Sequence, residues 1–82
     1  MPIERGTVVL CLAGKDKGSI AAVVCGGDTA VLIADGRRRP CEKPKTKNIR
    51  HISATGQTLG EADMATNKRL RKALNAIEAA NQ

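Results

Sequence analysis

The sequence predicts a mainly β fold, in which short strands joined by tight turns form a small barrel or meander, followed by one C-terminal α-helix. The first half of the chain consists of short β-branched apolar runs separated by glycine-containing turns. These runs are almost continuously apolar, which indicates that both faces of the strands are covered. Beyond a polar connector, the apolar period changes from two residues to about 3.6, the period of a helix.

The first three strands are predicted from apolar runs in chain order. TVVLCLA, residues 7–13, is the first, and GSIAAVVC, residues 18–25, follows a charged turn as the second. The two glycines of GGD, residues 26–28, predict a hairpin, because glycine readily adopts positive φ. That hairpin leads into the third strand, TAVLIA, residues 29–34.

The fourth strand is expected to be short. Asp35-Gly36 predicts a two-residue type I′ hairpin, after which the strand would begin at RRRP. Pro40 and Pro44 each remove a backbone donor, so this segment is expected at a sheet edge or in a loop. NIRHI, residues 48–52, alternates apolar and basic residues and is predicted to be a short, half-exposed strand.

An amphipathic helix is predicted at the C-terminus. Its apolar face is formed by four residues at helical spacing: Leu70, Ala73, Leu74 and Ile77. Two signals compete for its start. Thr58 with Glu61 makes a capping box, whereas Thr66 would cap a shorter helix.

At 82 residues the chain is expected to form one domain. We expect a small barrel over residues 1–53, a connector over residues 54–60 and a helix over residues 61–82 that docks on the barrel. The chain contains no Phe, Tyr or Trp. Because aromatic side chains bury the most area, the core is expected to be thin, and a partner could complete it.

Several protein classes are disfavoured. The N-terminus resembles no signal peptide and no segment could span a bilayer, so a cytoplasmic protein without a membrane partner is expected. Three scattered cysteines fit a reducing compartment, and the cations near Cys41 are expected to favour its thiolate. The three cysteines and His51 could be considered as zinc ligands, but no two cysteines form a Cys-x-x-Cys pair. No metal site and no cofactor are therefore expected. One histidine and scattered acids offer few groups for acid–base catalysis, so no enzyme is predicted.

The net charge of +6 is concentrated in one segment. Residues 37–50 hold seven basic residues and one acid, Glu42, so they carry the whole net charge. In a compact barrel this segment would lie near Lys15 and Lys17. Arg and Lys bind phosphate, so a nucleic acid is the expected partner, although such a segment can also be a solvated charged face. Because no aromatic residue is present to stack on bases, structured RNA is favoured.

Two stretches together resemble a known family. TVVLCLAGKDKGSIAAVV, residues 7–24, and VLIADGRRRPCEKPKTKNIRHI, residues 31–52, closely resemble the KOW motif and its extension. They look like the small bacterial KOW-domain RNA-binding proteins related to L-fourteen-e, a large-subunit ribosomal protein family of archaea and eukaryotes. TNKRLRKAL, residues 66–74, resembles the C-terminal helix of that family.

This resemblance implies an SH3-like β-barrel that binds RNA, with ribosomal RNA of the large subunit, or its precursor, as the expected target. The KOW loop corresponds to Gly14, Lys15, Asp16, Lys17 and Gly18. The basic stretch corresponds to Arg37, Arg38, Arg39, Lys43, Lys45, Lys47, Arg50 and His51. The loop lysines would face phosphate, Gly18 would bend the chain, and Asp16 would orient the lysines or close the turn.

A protein-interaction module is the second function that the sequence leaves open. Small SH3-like barrels also bind proteins, as in the KOW domains of transcription elongation factors. The apolar stripe of Leu70, Leu74 and Ile77 could lie in a groove of such a partner. Packing of the stripe on the chain's own barrel is favoured, because that is the commoner use of an amphipathic helix.

Overall fold

Within residues 3–80, five antiparallel strands and one C-terminal helix make up the fold, which confirms the predicted mainly β class. The computed structural model describes residues 3–80. The strands are β1 (Thr7–Cys11), β2 (Ile20–Cys25), β3 (Ala30–Ala34), β4 (Lys45–Asn48) and β5 (Ile52–Thr58). Two 3₁₀-helices (Ile49–His51 and Glu61–Met64) and α1 (Asn67–Ala80) complete the described elements. The strand order is β4-β3-β2-β1-β5, and within residues 3–80 the sheet is open, with β4 and β5 as its edges.

Both faces of the sheet are buried, as the continuous apolar strands predict. Val8 and Val9 are consecutive in β1, point to opposite faces and are each 0% exposed. Val9 belongs to a cluster that extends from β3 to β5 on one face. Val8 belongs to a second cluster, in which the other face packs against Leu70 and Leu74 of α1. The two faces of the sheet are therefore covered differently: the curved sheet encloses one cluster, and α1 covers the other.

The sheet is strongly curved. Four strand spacings would separate β4 from β5 by about 19 Å in a flat sheet. Yet only the 3₁₀-helix Ile49–His51 joins the end of β4 to the start of β5, and this link could span no more than about 14 Å when fully extended. Register irregularities at Thr7/Val9 and Val23/Cys25 supply places where the strands can bend. Curvature encloses the first cluster without any aromatic side chain.

The connection from β3 to β4 is a loop over residues 35–44, so the predicted two-residue hairpin was wrong. A type I′ turn needs positive φ at both central residues, and among residues 3–80 only glycines have positive φ. Asp35 instead accepts hydrogen bonds through Oδ1 from the backbone N–H groups of Arg37 (2.8 Å) and Arg39 (3.1 Å). This Asx-type turn closes the loop through a side chain, which the dipeptide signal does not anticipate.

Two further predictions near β5 were wrong. NIRHI is a strand only at its two ends, because residues 49–51 form a 3₁₀-helix that Asn48 caps by accepting from the Arg50 N–H. Most of the predicted connector, residues 54–60, belongs to β5, so the sheet extends past the expected boundary at residue 53. β5 is an edge strand that buries only Ile52, and its exposed polar residues show no apolar alternation.

The helix begins at Asn67, so the predicted start at residue 61 was wrong. Thr66 caps it, because its Oγ1 accepts from the Arg69 N–H at 3.1 Å. Thr58 lies in β5, paired with Thr7, and cannot complete a capping box. Residues 81–82 of the predicted helix lie outside the described residues. No helix within residues 3–80 is both long and apolar enough to cross a bilayer.

Glu61 has a different role from the predicted cap. Its carboxylate lies 2.8 Å from Arg5 Nε, and this hydrogen-bonded ion pair lowers the pKa of Glu61 below its usual range. The Arg5 guanidinium also donates to the carbonyl of Val24 at 2.6 Å. Arg5 thus attaches the short 3₁₀-helix before α1 to the C-terminal end of β2.

Replacing Leu70 with alanine should destabilise the protein by about 2–5 kcal/mol, because a fully buried leucine would leave a cavity between α1 and the sheet. Leu12→Ala is the matched control, since Leu12 is already 44% exposed and should cost much less. Urea denaturation followed by circular dichroism measures both. Equal costs for the two variants would contradict the docked helix.

Candidate nucleic-acid interface

The charged loop between β1 and β2 is closed by its own backbone. The Lys17 N–H donates to the Gly14 carbonyl (3.2 Å), and the Ser19 N–H donates to the Asp16 carbonyl (2.9 Å). Gly18 has φ +88°, as expected for the predicted bend. A Cβ at Gly18 would meet no atom within 4 Å, so backbone conformation and not space favours glycine there.

The side chain of Asp16 points into the protein. Asp16 is 8% exposed, and its Oδ2 lies 3.7 Å from Arg39 Nη2. Oδ2 and Arg39 Nε are both buried without a hydrogen-bond partner. The backbone of Asp16 closes the turn, but its carboxylate faces Arg39 and not the loop lysines. This ion pair joins the loop to the basic segment.

Lys47 supports the loop from the other side. Although charged, it is only 8% exposed, and its Nζ donates to the Ala13 carbonyl at 3.4 Å. A Cβ at Gly14 would lie 3.3 Å from the same Nζ, so the loop backbone passes close over this side chain. The Leu12 N–H also donates to the His51 carbonyl (2.8 Å). β4 and the 3₁₀-helix that follows it therefore hold the base of the loop.

The predicted interface residues divide into two groups. The exposed group comprises Lys15, Lys17, Gly18, Arg37, Arg38, Lys43, Arg50 and His51. Asp16 and Lys47 are buried, while Arg39 and Lys45 are half-buried. The inward-facing residues Asp16, Arg39 and Lys47 position the loop, and the exposed group is available to a ligand.

Three of the exposed cations line one cleft. Lys15, Arg37 and Arg38 share it with Arg71 of α1, and its volume is about 350 Å³. Lys43 and Lys45 belong to the same basic segment but do not line this cleft. The structure thus brings together the loop, the start of the basic segment and one helix side chain.

α1 is held directly against the turn at Gly36. Arg71 Nη1 donates to the Gly36 carbonyl at 2.8 Å, and Arg37 Nη2 lies 3.5 Å from Asn75 Oδ1. A Cβ at Gly36 would come within 2.5 Å of the Asn67 carbonyl oxygen, so only glycine permits this approach. Arg71 was missed by sequence reasoning, because only its position beside the apolar stripe of the helix hinted at a contact.

The apolar stripe of α1 is occupied by the chain's own sheet. Leu70 and Leu74 are 0% and 4% exposed, and Ile77 packs at the border of the same cluster. A partner could reach this stripe only if the helix left the sheet. The feature that suggested a protein-interaction module is therefore engaged within the molecule.

Cys41 does not have the favoured thiolate that its cationic neighbours predict. Burial is the main cause that raises its pKa, and the adjacent Glu42 raises it further. The Cys41 Sγ faces the Met64 carbonyl at 3.8 Å. Burial also raises the pKa of Cys11 in β1. Among the described residues, no group of three His, Cys, Asp or Glu side chains could hold a metal ion.

Comparison with protein families and with curated proteins identified no relative of this chain. No protein-family model matches the chain, and no curated protein matches it. The resemblance to KOW domains therefore rests on the quoted stretches, which fold as β1, the charged loop and β2, and as the segment from β3 to the start of β5.

Gly18→Ala should destabilise the protein by about 1–2 kcal/mol, because alanine is strained at positive φ even where its methyl group has room. Gly60→Ala is the control, since Gly60 also has open space but φ −82°. We expect that variant to change stability by less than about 0.5 kcal/mol. Chemical denaturation compares them, and an unaffected Gly18→Ala variant would contradict the loop conformation.

The three cysteines should react with iodoacetamide in the order Cys25, Cys41, Cys11. Cys25 is exposed, Cys41 is half-buried with a raised pKa, and Cys11 is buried with a raised pKa. A raised pKa leaves less thiolate at neutral pH, and only the thiolate reacts. Peptide mass spectrometry after timed quenching gives the order. Faster labelling of Cys41 than of Cys25 would show that its cationic neighbours outweigh burial.

Proposed function

We propose that this protein binds structured RNA through the loop at residues 14–18 and the adjacent basic segment at residues 37–50. The observation that carries the proposal is the Asp16–Arg39 contact, which joins the two parts that sequence analysis singled out separately. Lys15 and Lys17 of the loop and Arg37 and Arg38 of the basic segment remain exposed on these two joined parts. Four cations on neighbouring backbone segments suit phosphate groups that lie close together in folded RNA.

The curved sheet is, in this proposal, the SH3-like barrel of a KOW domain. Two features support it: the strand order β4-β3-β2-β1-β5 and the three-residue 3₁₀ link between the edge strands β4 and β5. This link draws the two edges toward each other. The buried cluster that extends from β3 to β5 would then be the barrel interior.

Ribosomal RNA of the large subunit, or its precursor, is the proposed target, and the protein would act in the cytoplasm as part of translation. This rests on the resemblance to ribosomal KOW proteins. The composition is compatible with it, because a chain without Phe, Tyr or Trp has no aromatic platform for extended single strands. Recognition would depend on phosphate position and on the shape of the RNA.

The basic face is best tested by changing exposed cations that form no ion pair with another described residue. Arg39 is unsuitable, because its removal would leave the buried Asp16 carboxylate without its counter-charge. The triple variant Lys15→Gln, Lys17→Gln, Arg38→Gln avoids this problem. The triple variant Lys68→Gln, Arg69→Gln, Lys72→Gln is the matched control, since it removes the same charge from exposed positions of α1 that line a different surface groove.

Fluorescence anisotropy with a folded ribosomal RNA fragment should show a salt-dependent loss in the first triple variant. If six or more phosphates are engaged, the parent affinity should fall on the order of a thousandfold between about 50 and 200 mM salt. Removing three contacts should reduce the slope of log K against log salt by about 2–3. The helix variant should retain most of the slope. Equal losses in both variants, or no binding by the parent, would contradict the proposed face.

A further inference from the structure

We propose that the cleft between the loop, the Gly36 turn and α1 is a subsite for one unpaired nucleotide of the bound RNA. This inference rests on the proposed RNA-binding function. It assigns the cleft a role distinct from general phosphate binding. The walls come from three parts of the chain: Lys15 and Asp16 of the loop, Arg37 and Arg38 of the basic segment, and Arg71 and Asn75 of α1.

The lining is chemically mixed in a way that suits a nucleotide better than a bare anion. Lys15, Arg37 and Arg38 provide cations at exposed positions, where a phosphate would remain partly hydrated. The half-buried Ile20 adds apolar surface that the face of a base can contact. Carboxylates also line the cleft and would repel a phosphate placed deep inside. They can accept hydrogen bonds from the N–H groups of a base.

Asp16 is the buried carboxylate with an unpaired oxygen in this cleft, whereas Glu78, which also lines it, is an exposed side chain of α1. Asp35 is already engaged, because its Oδ1 accepts from two backbone N–H groups of its own loop. Asp16 Oδ2, by contrast, has no hydrogen-bond partner and is held by its charge attraction to Arg39. A carboxylate that is more than nine-tenths buried and incompletely bonded is costly unless a donor reaches it. An amino group of a base is such a donor.

The size and rigidity of the cleft fit one nucleotide. Its volume of about 350 Å³ lies near the lower end of the range of small-ligand sites, about 300–1,000 Å³. The walls are connected to one another by the Asp16–Arg39 ion pair and by the hydrogen bond from Arg71 to the Gly36 carbonyl. Fixed walls reduce the ordering cost of binding. They also hold the Arg71 guanidinium in one orientation, where it can stack on a base.

The test compares short RNA hairpins that are fully paired with hairpins that carry one bulged nucleotide. The parent should bind hairpins with a bulged A, C or G about fivefold or more tightly than the paired hairpin, because these bases carry an amino group that can reach Asp16. A bulged U has no amino group and offers only its ring N3–H as a donor, so it should give a smaller preference.

Two matched variants of α1 test the cleft without changing the loop. Asn75→Met would fill the cleft from an exposed position of α1 without changing charge, whereas Ala76→Met lies next to it and does not line the cleft. Asn75→Met should abolish the bulge preference and leave the affinity for the paired hairpin within about twofold. Ala76→Met should retain both. This pattern would support the cleft as the nucleotide subsite.

The opposing results separate this inference from the proposed function. Equal binding of bulged and paired hairpins by the parent, with a steep salt dependence, would overturn the nucleotide subsite and leave the RNA-binding function standing. Retention of the bulge preference by Asn75→Met would place the bulged nucleotide elsewhere and overturn the subsite as well. Failure of the parent to bind any of the RNAs at low salt would overturn both.

Discussion

The absence of aromatic side chains is the constraint on which the rest of this structure depends. Val, Ile, Leu and Ala bury little area each, so a sheet built from them cannot be stabilised by one face alone. The chain responds by curving the sheet around one cluster and by covering the outer face with α1. The helix that completes the core also brings Arg71 and Asn75 to the Gly36 turn. The packing of α1 on the sheet therefore also forms one wall of the cleft.

Charge is used in two ways within the same short segments. Asp16, Arg39 and Lys47 are inward-facing, and their contacts hold the loop against the basic segment. Their exposed neighbours Lys15 and Arg38 remain available to an anionic partner. An exposed loop of alternating charges would otherwise be mobile and would lose conformational entropy on binding. Internal ion pairing therefore prepares the surface that the proposed RNA would contact.

The environment of a side chain in the fold, and not the charges next to it in the sequence, decides its pKa and its partner. Cys41 closely follows three arginines, yet its pKa is raised, because burial of the thiol, which faces the Met64 carbonyl, is the largest influence on that pKa. Glu61, by contrast, is exposed, and an ion pair and not burial separates it from the helix it was expected to cap. Its partner is Arg5, which is distant in the chain and close in space. Local charge patterns thus describe the electrostatic total of a segment better than the environment of one residue.

Sequence alone determined the features that depend on neighbouring residues: β1 to β3, the positive φ of Gly18 and the apolar face of α1. Each follows from local periodicity or from the conformational freedom of glycine. The tertiary structure decided whatever depended on a distant partner. β5 exists because β1 offers it a pairing edge, and Asp16 turns inward because Arg39 is there. No local pattern encodes such pairings, since their energy arises only when segments far apart in the chain are brought together by the core.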